Sequence, residues 1–170
     1  MPLKDGRYTG LLYRAVNPFH ARAPLSGRSA ELYGGRFNPK GTPALYTSLG
    51  PKTALREANQ VGCLQPTVLV SYTAELWPIF DTRDQAALER YAMTESMLAD
   101  PAWRIKMLDR QSVPTQDFAR TLMADRFVGL LIKSFANGAL SSDLNIVLWA
   151  WSGNKGYLEV VDDEKRLSGM

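Results

Sequence analysis

YGGRFNPKGTPALYTSLGPKTALRE, residues 33–57, is the stretch whose reading decides the fold. Gly34 and Gly35 lead into Arg36, and Pro39-Lys40-Gly41 makes a turn. Residues 43–47 read as a short strand around Ala44-Leu45-Tyr46. Gly50 breaks it, and Pro51 suits the first position of a helix, where a missing N–H is harmless. That helix is expected to run to about Val61 and stop at Gly62. Ala54, Ala58 and Val61 line one face, with Glu57 beside it. Glu57 is then either a carboxylate at the rim of a cleft or a surface partner of Arg56 or Lys52. A loop, a strand and a helix with short connections stay adjacent in space. They would bring a guanidinium, a phenol and a carboxylate to one place, which suits a ligand with a phosphate, a flat base and a sugar.

Outward from that stretch, residues 11–16 read as a first strand, stopped by Asn17-Pro18. Arg14 within it has two readings: an arginine facing solvent at a sheet edge, or a phosphate ligand. Residues 17–35 read as a long loop, the kind that is often functional; it holds His20, the chain's one histidine. Residues 67–73, TVLVSYT, form a strand by their β-branched content, with a short extension over 76–80. Helical composition follows over 81–100, 101–108 and 116–125, and the Met and aromatic residues there read as core packing. Strands return at 128–134, 145–151 and 157–161, and 162–170 reads as a frayed tail. Strands, then helices, then strands argue for an α+β fold. We expect one domain over 1–170 with its core at about 11–162, and helices inserted between early and late strands.

Bulk properties exclude several function classes. With 170 residues the chain can bury a proper core. Its single cysteine, Cys63, rules out an internal disulfide or a cysteine-rich metal site; it reads as a small buried residue near a helix end. The N-terminus MPLKDGRYTG has no signal-peptide core, and no apolar run reaches membrane-spanning length. These features point to a cytoplasmic protein with no membrane contact. The net charge of +3 comes from scattered residues, among them Arg14, Arg22, Arg28, Arg36, Lys40 and Lys52. That pattern suits a small anionic ligand or a solvated surface, and it lacks the basic, aromatic-laced run of a nucleic-acid binder. Rossmann, P-loop and nucleophile-elbow motifs are absent, and no ligand cluster supports a metal.

The run GGRFNPKGTPALYTS, the TALREA helix after it, and the late IKS before SSDLNIVLW resemble the RES domain, a family named for an arginine, a glutamate and a serine. On this chain those positions are Arg36, Glu57 and Ser134. The resemblance covers about 12–162. It departs at Phe37 and Lys133, where the family pattern has tryptophan and proline.

The resemblance implies a split, mixed sheet like that of ADP-ribosyltransferase toxins, around a cleft for NAD as substrate and without a metal. It implies a toxin of a bacterial toxin–antitoxin pair, neutralised by an Xre-type helix-turn-helix antitoxin, and a homodimer. The implied activity is hydrolysis or phosphorolysis of the nicotinamide–ribose bond; the alternative is transfer of ADP-ribose onto a host protein. Glu57 would stabilise the oxocarbenium-like sugar. Arg36 would bind the pyrophosphate or the nicotinamide ribose. Tyr46 would stack on nicotinamide. Ser134 and Asn145 would hydrogen-bond the ribose or support the acid, and Arg14 would be a second phosphate ligand. A more distant reading is a non-catalytic module binding nucleic acid or protein through the basic front third.

Overall fold

The computed structural model describes residues 2–60 and 63–167. Seven strands build one sheet: β1 (Tyr8–Val16), β2 (Leu45–Ser48), β3 (Val68–Leu76), β4 (Ile79–Asp81), β5 (Gly129–Lys133), β6 (Leu144–Leu148) and β7 (Gly156–Val160). Their order across the sheet is β4-β5-β6-β2-β1-β3-β7. Only the β4–β5 pair is parallel; the others are antiparallel. Among the described residues there are six α-helices: α1 (Arg28–Tyr33), α2 (Pro51–Ala58), α3 (Gln85–Arg90), α4 (Glu95–Ala99), α5 (Trp103–Leu108) and α6 (Pro114–Ala124). The last four lie between β4 and β5, as the α+β reading expects. No helix among the described residues is long and apolar enough to cross a membrane.

The sheet is split in one place. β1 and β2 share a single register pair, Tyr13 with Ser48, whereas β1 and β3 are paired over nine residues. Beyond that one pair the two strands part, and a small gap opens between them, lined by Arg14, Ala15, Tyr46 and Glu57 among others.

A sheet covered on both faces needs strands that are apolar at consecutive positions. β5 meets this with Leu130, Leu131 and Ile132, all at most 3% exposed. Leu131 packs on one face with Leu12, Leu45, Tyr72 and Ile146. Leu130 and Ile132 pack on the other with Leu88, Leu98, Phe118 and Leu122 from the inserted helices. Phe80 anchors this second core through edge contacts to Tyr91, Phe118 and Phe127, ring centres 5.3–5.5 Å apart.

Several local expectations change. The long loop of 17–35 contains a 3-10 turn, Pro18–His20, and α1, which is flanked by Gly27 and by a left-handed Gly34 at φ 73°. The extension of the third strand is instead β4, at the far edge of the sheet. The expected helix over 81–100 is two short ones, because Ala92 turns left-handed at φ 53° and Thr94 caps a new start. Cys63 is exposed, not buried. α2 ends at Ala58 with Asn59 as its C-cap, short of the expected end; Val61 and Gly62 themselves lie outside the described residues, as do 168–170. Up to Leu167 the tail is ordered around Asp162, whose carboxylate accepts from the amides of Arg166 and Leu167.

Candidate functional site

The loop before β2 is built around Asn38, which is fully buried. Its Nδ2 donates to the carbonyls of Ala30 and Thr42 at 2.8 and 2.9 Å. Its Oδ1 accepts from the Tyr46 hydroxyl at 2.7 Å. That hydroxyl in turn accepts from the Phe37 amide, and the Trp149 indole donates to the Phe37 carbonyl. Gly35 is obligatory: a Cβ there would come within 2.6 Å of Asn38 Oδ1 and closer still to the Tyr46 hydroxyl. This lattice holds the Tyr46 ring in place on the central strand β2. Burial pushes the Tyr46 phenol well above its ordinary pKa, with the Phe37 amide and Arg36 opposing.

Arg36 reaches the inserted helices. Its Nη1 donates to the carbonyls of Leu98 and Asp100 at 2.8 and 3.0 Å, the end of α4 where helical carbonyls lack partners. Its guanidinium carbon lies 5.0 Å from the centre of the Phe135 ring and 5.9 Å from that of Trp103. Burial pulls its pKa down, opposed by Asp100, Glu57 and Tyr46. One nitrogen is thus committed to the fold, while the rest of the fork borders open space.

Glu57 enters from α2. The buried residues of that helix are Thr53 and Ala54, four and three positions earlier, so Glu57 lies on the buried stripe itself. Ala58, expected on that stripe, is exposed. Arg56 is not the surface partner of Glu57, because its Nη1 is 2.5 Å from Asp143, just before β6. Thr53 donates to the same carboxylate. Two α2 side chains therefore clamp the helix to the sheet and set its rotation.

At the sheet Glu57 meets three donors. Ser134 Oγ donates to Oε1 at 2.5 Å, and Asn145 Nδ2 to the same oxygen at 2.6 Å. Gln60 Nε2 donates to Oε2 at 2.6 Å. Ser134 Oγ also accepts from the Ala136 amide, so its hydroxyl is used up supporting the acid.

These groups border one cavity of about 290 Å3. Arg36, Tyr46, Glu57 and Asn145 all line it, with Phe37, Ser48, Gln60, Trp103, Arg104, Lys133 and Phe135. Its chemistry is aromatic walls, a carboxylate and several cations. The structure thus brings together Arg36, Tyr46, Glu57 and Asn145, with Ser134 behind the carboxylate. Arg14 is not in this wall. It alternates with Tyr13, which pairs across to Ser48 on the Tyr46 face, so its side chain leaves the sheet on the opposite face. There its Nη1 donates to the Pro24 carbonyl at 3.3 Å. His20 is exposed and lines a separate groove with Arg22 and Arg28.

Sequence reasoning missed Ser48, Gln60, Trp103, Arg104 and Phe135. Trp103 stands on α5, which has no buried residue at all; a helix with tryptophan but no buried stripe walls a site rather than filling a core. Gln60 carried a usable signal, since it lies three residues after Glu57, within the span the sequence reads as helix.

Comparison with solved structures shows what the architecture is similar to. The fold matches a chain from the crystal structure of the M. tuberculosis MbcT–MbcA toxin–antitoxin complex, with a TM-score of 0.59 and 17% identity, over 91% of this chain and 82% of that one. Comparison with protein families then identifies the class by sequence: residues 11–168 match the RES domain, and the chain belongs to that family. Comparison with curated proteins gives no match.

Proposed function

We propose that this protein is the toxin of a toxin–antitoxin pair and that it consumes NAD by breaking the nicotinamide–ribose bond. The observation that carries the reading is a guanidinium and a firmly held carboxylate bordering one aromatic-walled cavity. Small-molecule sites span roughly 300–1,000 Å3, so this one suits part of a dinucleotide, with the remainder lying along the open rim. Nicotinamide rests among Tyr46, Trp103 and Phe135. The free donors of Arg36, with Arg104 at the mouth, take phosphate oxygens.

In the reaction the C1′–N1 bond breaks and its electron pair leaves with neutral nicotinamide. Positive charge develops on C1′ and the ring oxygen of the ribose. The Glu57 carboxylate, fixed before the substrate arrives, stabilises that charge without reorganising. Water or phosphate then adds to C1′, and Glu57 takes its proton. Ser134 and Asn145 hold Glu57 in place.

The alternative, transfer of ADP-ribose to a protein, uses the same cavity. Ile105 and Leu108, exposed on α5 beside the mouth, favour it as a place for a protein acceptor to rest. Membership of the RES family and the likeness to a chain from a toxin–antitoxin complex support an antitoxin partner. We take it to be an Xre-type helix-turn-helix protein, and the toxin to be a cytoplasmic homodimer. Induced expression tests the whole reading: growth stops and cellular NAD falls with the wild type and not with Glu57→Ala, and coexpression of the antitoxin restores both. With labelled NAD, label in free ADP-ribose or its phosphate marks breakdown, and label on protein marks transfer. A steady NAD pool during growth arrest would contradict the proposal.

A further inference from the structure

The two oxygens of Glu57 are held unequally. Oε1 receives Ser134 and Asn145 from the sheet, and both donors are themselves fixed. Asn145 has an amide that could present either end. A carboxylate only accepts, so the amide nitrogen must face Glu57 and its oxygen must face away. That oxygen accepts from Ser48 Oγ at 2.7 Å, and Ser48 is 3% exposed. Ser48 therefore locks the amide in the one orientation that serves the acid. Among the described residues Oε2 has a single donor, Gln60, an exposed side chain on the cavity wall.

We propose that Oε1 is the anchored oxygen and Oε2 the working one, with Ser48 as a positioning residue and Gln60 as a latch that a substrate hydroxyl displaces. This rests on the glycosidic reading above. The latch shields Oε2 while the cavity is empty, and the arriving hydroxyl must break its bond. Ser48 borders the cavity, but it is 3% exposed and its hydroxyl donates to Asn145. It acts through Asn145, so its loss lowers turnover by letting Glu57 drift from the sugar.

The two residues should then give opposite kinetic signatures. A hydrogen bond to a charged group is stronger than one between neutral groups, and an interaction with an exposed side chain is weakened by solvent. With NAD as substrate, Gln60→Ala should lower KM about two- to fivefold. Ser48→Ala should lower kcat about tenfold or more with little change in KM, and Ser48→Thr, which keeps the hydroxyl, should recover most of it. A raised KM in Gln60→Ala overturns the latch, and full turnover in Ser48→Ala overturns the lock.

Side-chain amide NMR of the free protein gives a readout independent of turnover. The Asn145 amide protons should exchange slowly in wild type and Ser48→Thr and fast in Ser48→Ala, whose other resonances certify the fold. The Gln60 amide should exchange fast throughout. If wild type releases no nicotinamide from NAD, the glycosidic reading fails while this spectrum still decides the unequal holding. Equal protection of the two amides overturns the proposal.

Discussion

Arg36 serves the fold and the cavity with one side chain. Its Nη1 closes the end of α4, and its planar face lies near Trp103 and Phe135. Lysine offers a compact charge without a fork or a flat face. Arg36→Lys should therefore lower kcat/KM for NAD about tenfold or more, and should also speed amide exchange at residues 98–100. An unchanged kcat/KM would mean that the guanidinium serves only the fold. At this scale much of the site was legible. The turn chemistry of GGRFNPKG placed Arg36, and the short connections placed Tyr46 and Glu57 beside it. Asn145 and Ser134 could be attached only through the family resemblance, because a strand residue's neighbour across the sheet is set by register, which no local pattern encodes. Arg14 was legible as unusual, but the face it leaves by depends on that same register.

At the scale of elements, the placement of Glu57 depends on how α2 is held. Gly50 gives no side-chain cap, so the helix relies on Thr53 and Arg56 gripping Asp143. Asp143→Ala should lower the melting temperature by several degrees and reduce kcat, since the rotation of α2 is no longer fixed. The Asp143 carboxyl is held below its ordinary pKa by the Leu140 amide first, then by Thr53 and Arg56. A depressed folded-state value means this stabilisation is complete above the unfolded value, about 3.9. It is lost as pH falls through the lower folded value. Acid unfolding of the wild type should thus show a loss below about pH 4 that Asp143→Ala lacks. The start of α2 could be read from Pro51, but its buried stripe could not. Ala54, Ala58 and Val61 satisfy the helical period, yet clamping at Asp143 turns Thr53, Ala54 and Glu57 inward instead. α1 was missed although Gly27 and Gly34 bracket it, because six residues are too few to show a period.

Over the whole molecule, one sheet separates two cores, and the cavity opens beside the line where β1 and β2 part. The consecutive apolar residues of β5 announced a strand buried on both faces. The single β1–β2 pair could not be foreseen from composition, since both strands carry ordinary strand residues. Leu122 is fully buried in the core that α6 shares with the sheet, and it does not line the cavity. Leu122→Ala should cost about 2–5 kcal/mol in urea unfolding. It should lower kcat/KM far less than Arg36→Lys does, because Leu122 does not line the cavity. All of these expectations depend on Arg36 and Glu57 acting on one molecule of NAD in one cavity. The most direct test is to incubate purified protein with NAD and follow free nicotinamide, comparing wild type with Glu57→Gln, which keeps the side chain's shape and removes its charge. The account predicts steady release by wild type and a fall of about 100-fold or more in the variant, with both proteins equally folded. Equal release by the two, or none by the folded wild type, would contradict it.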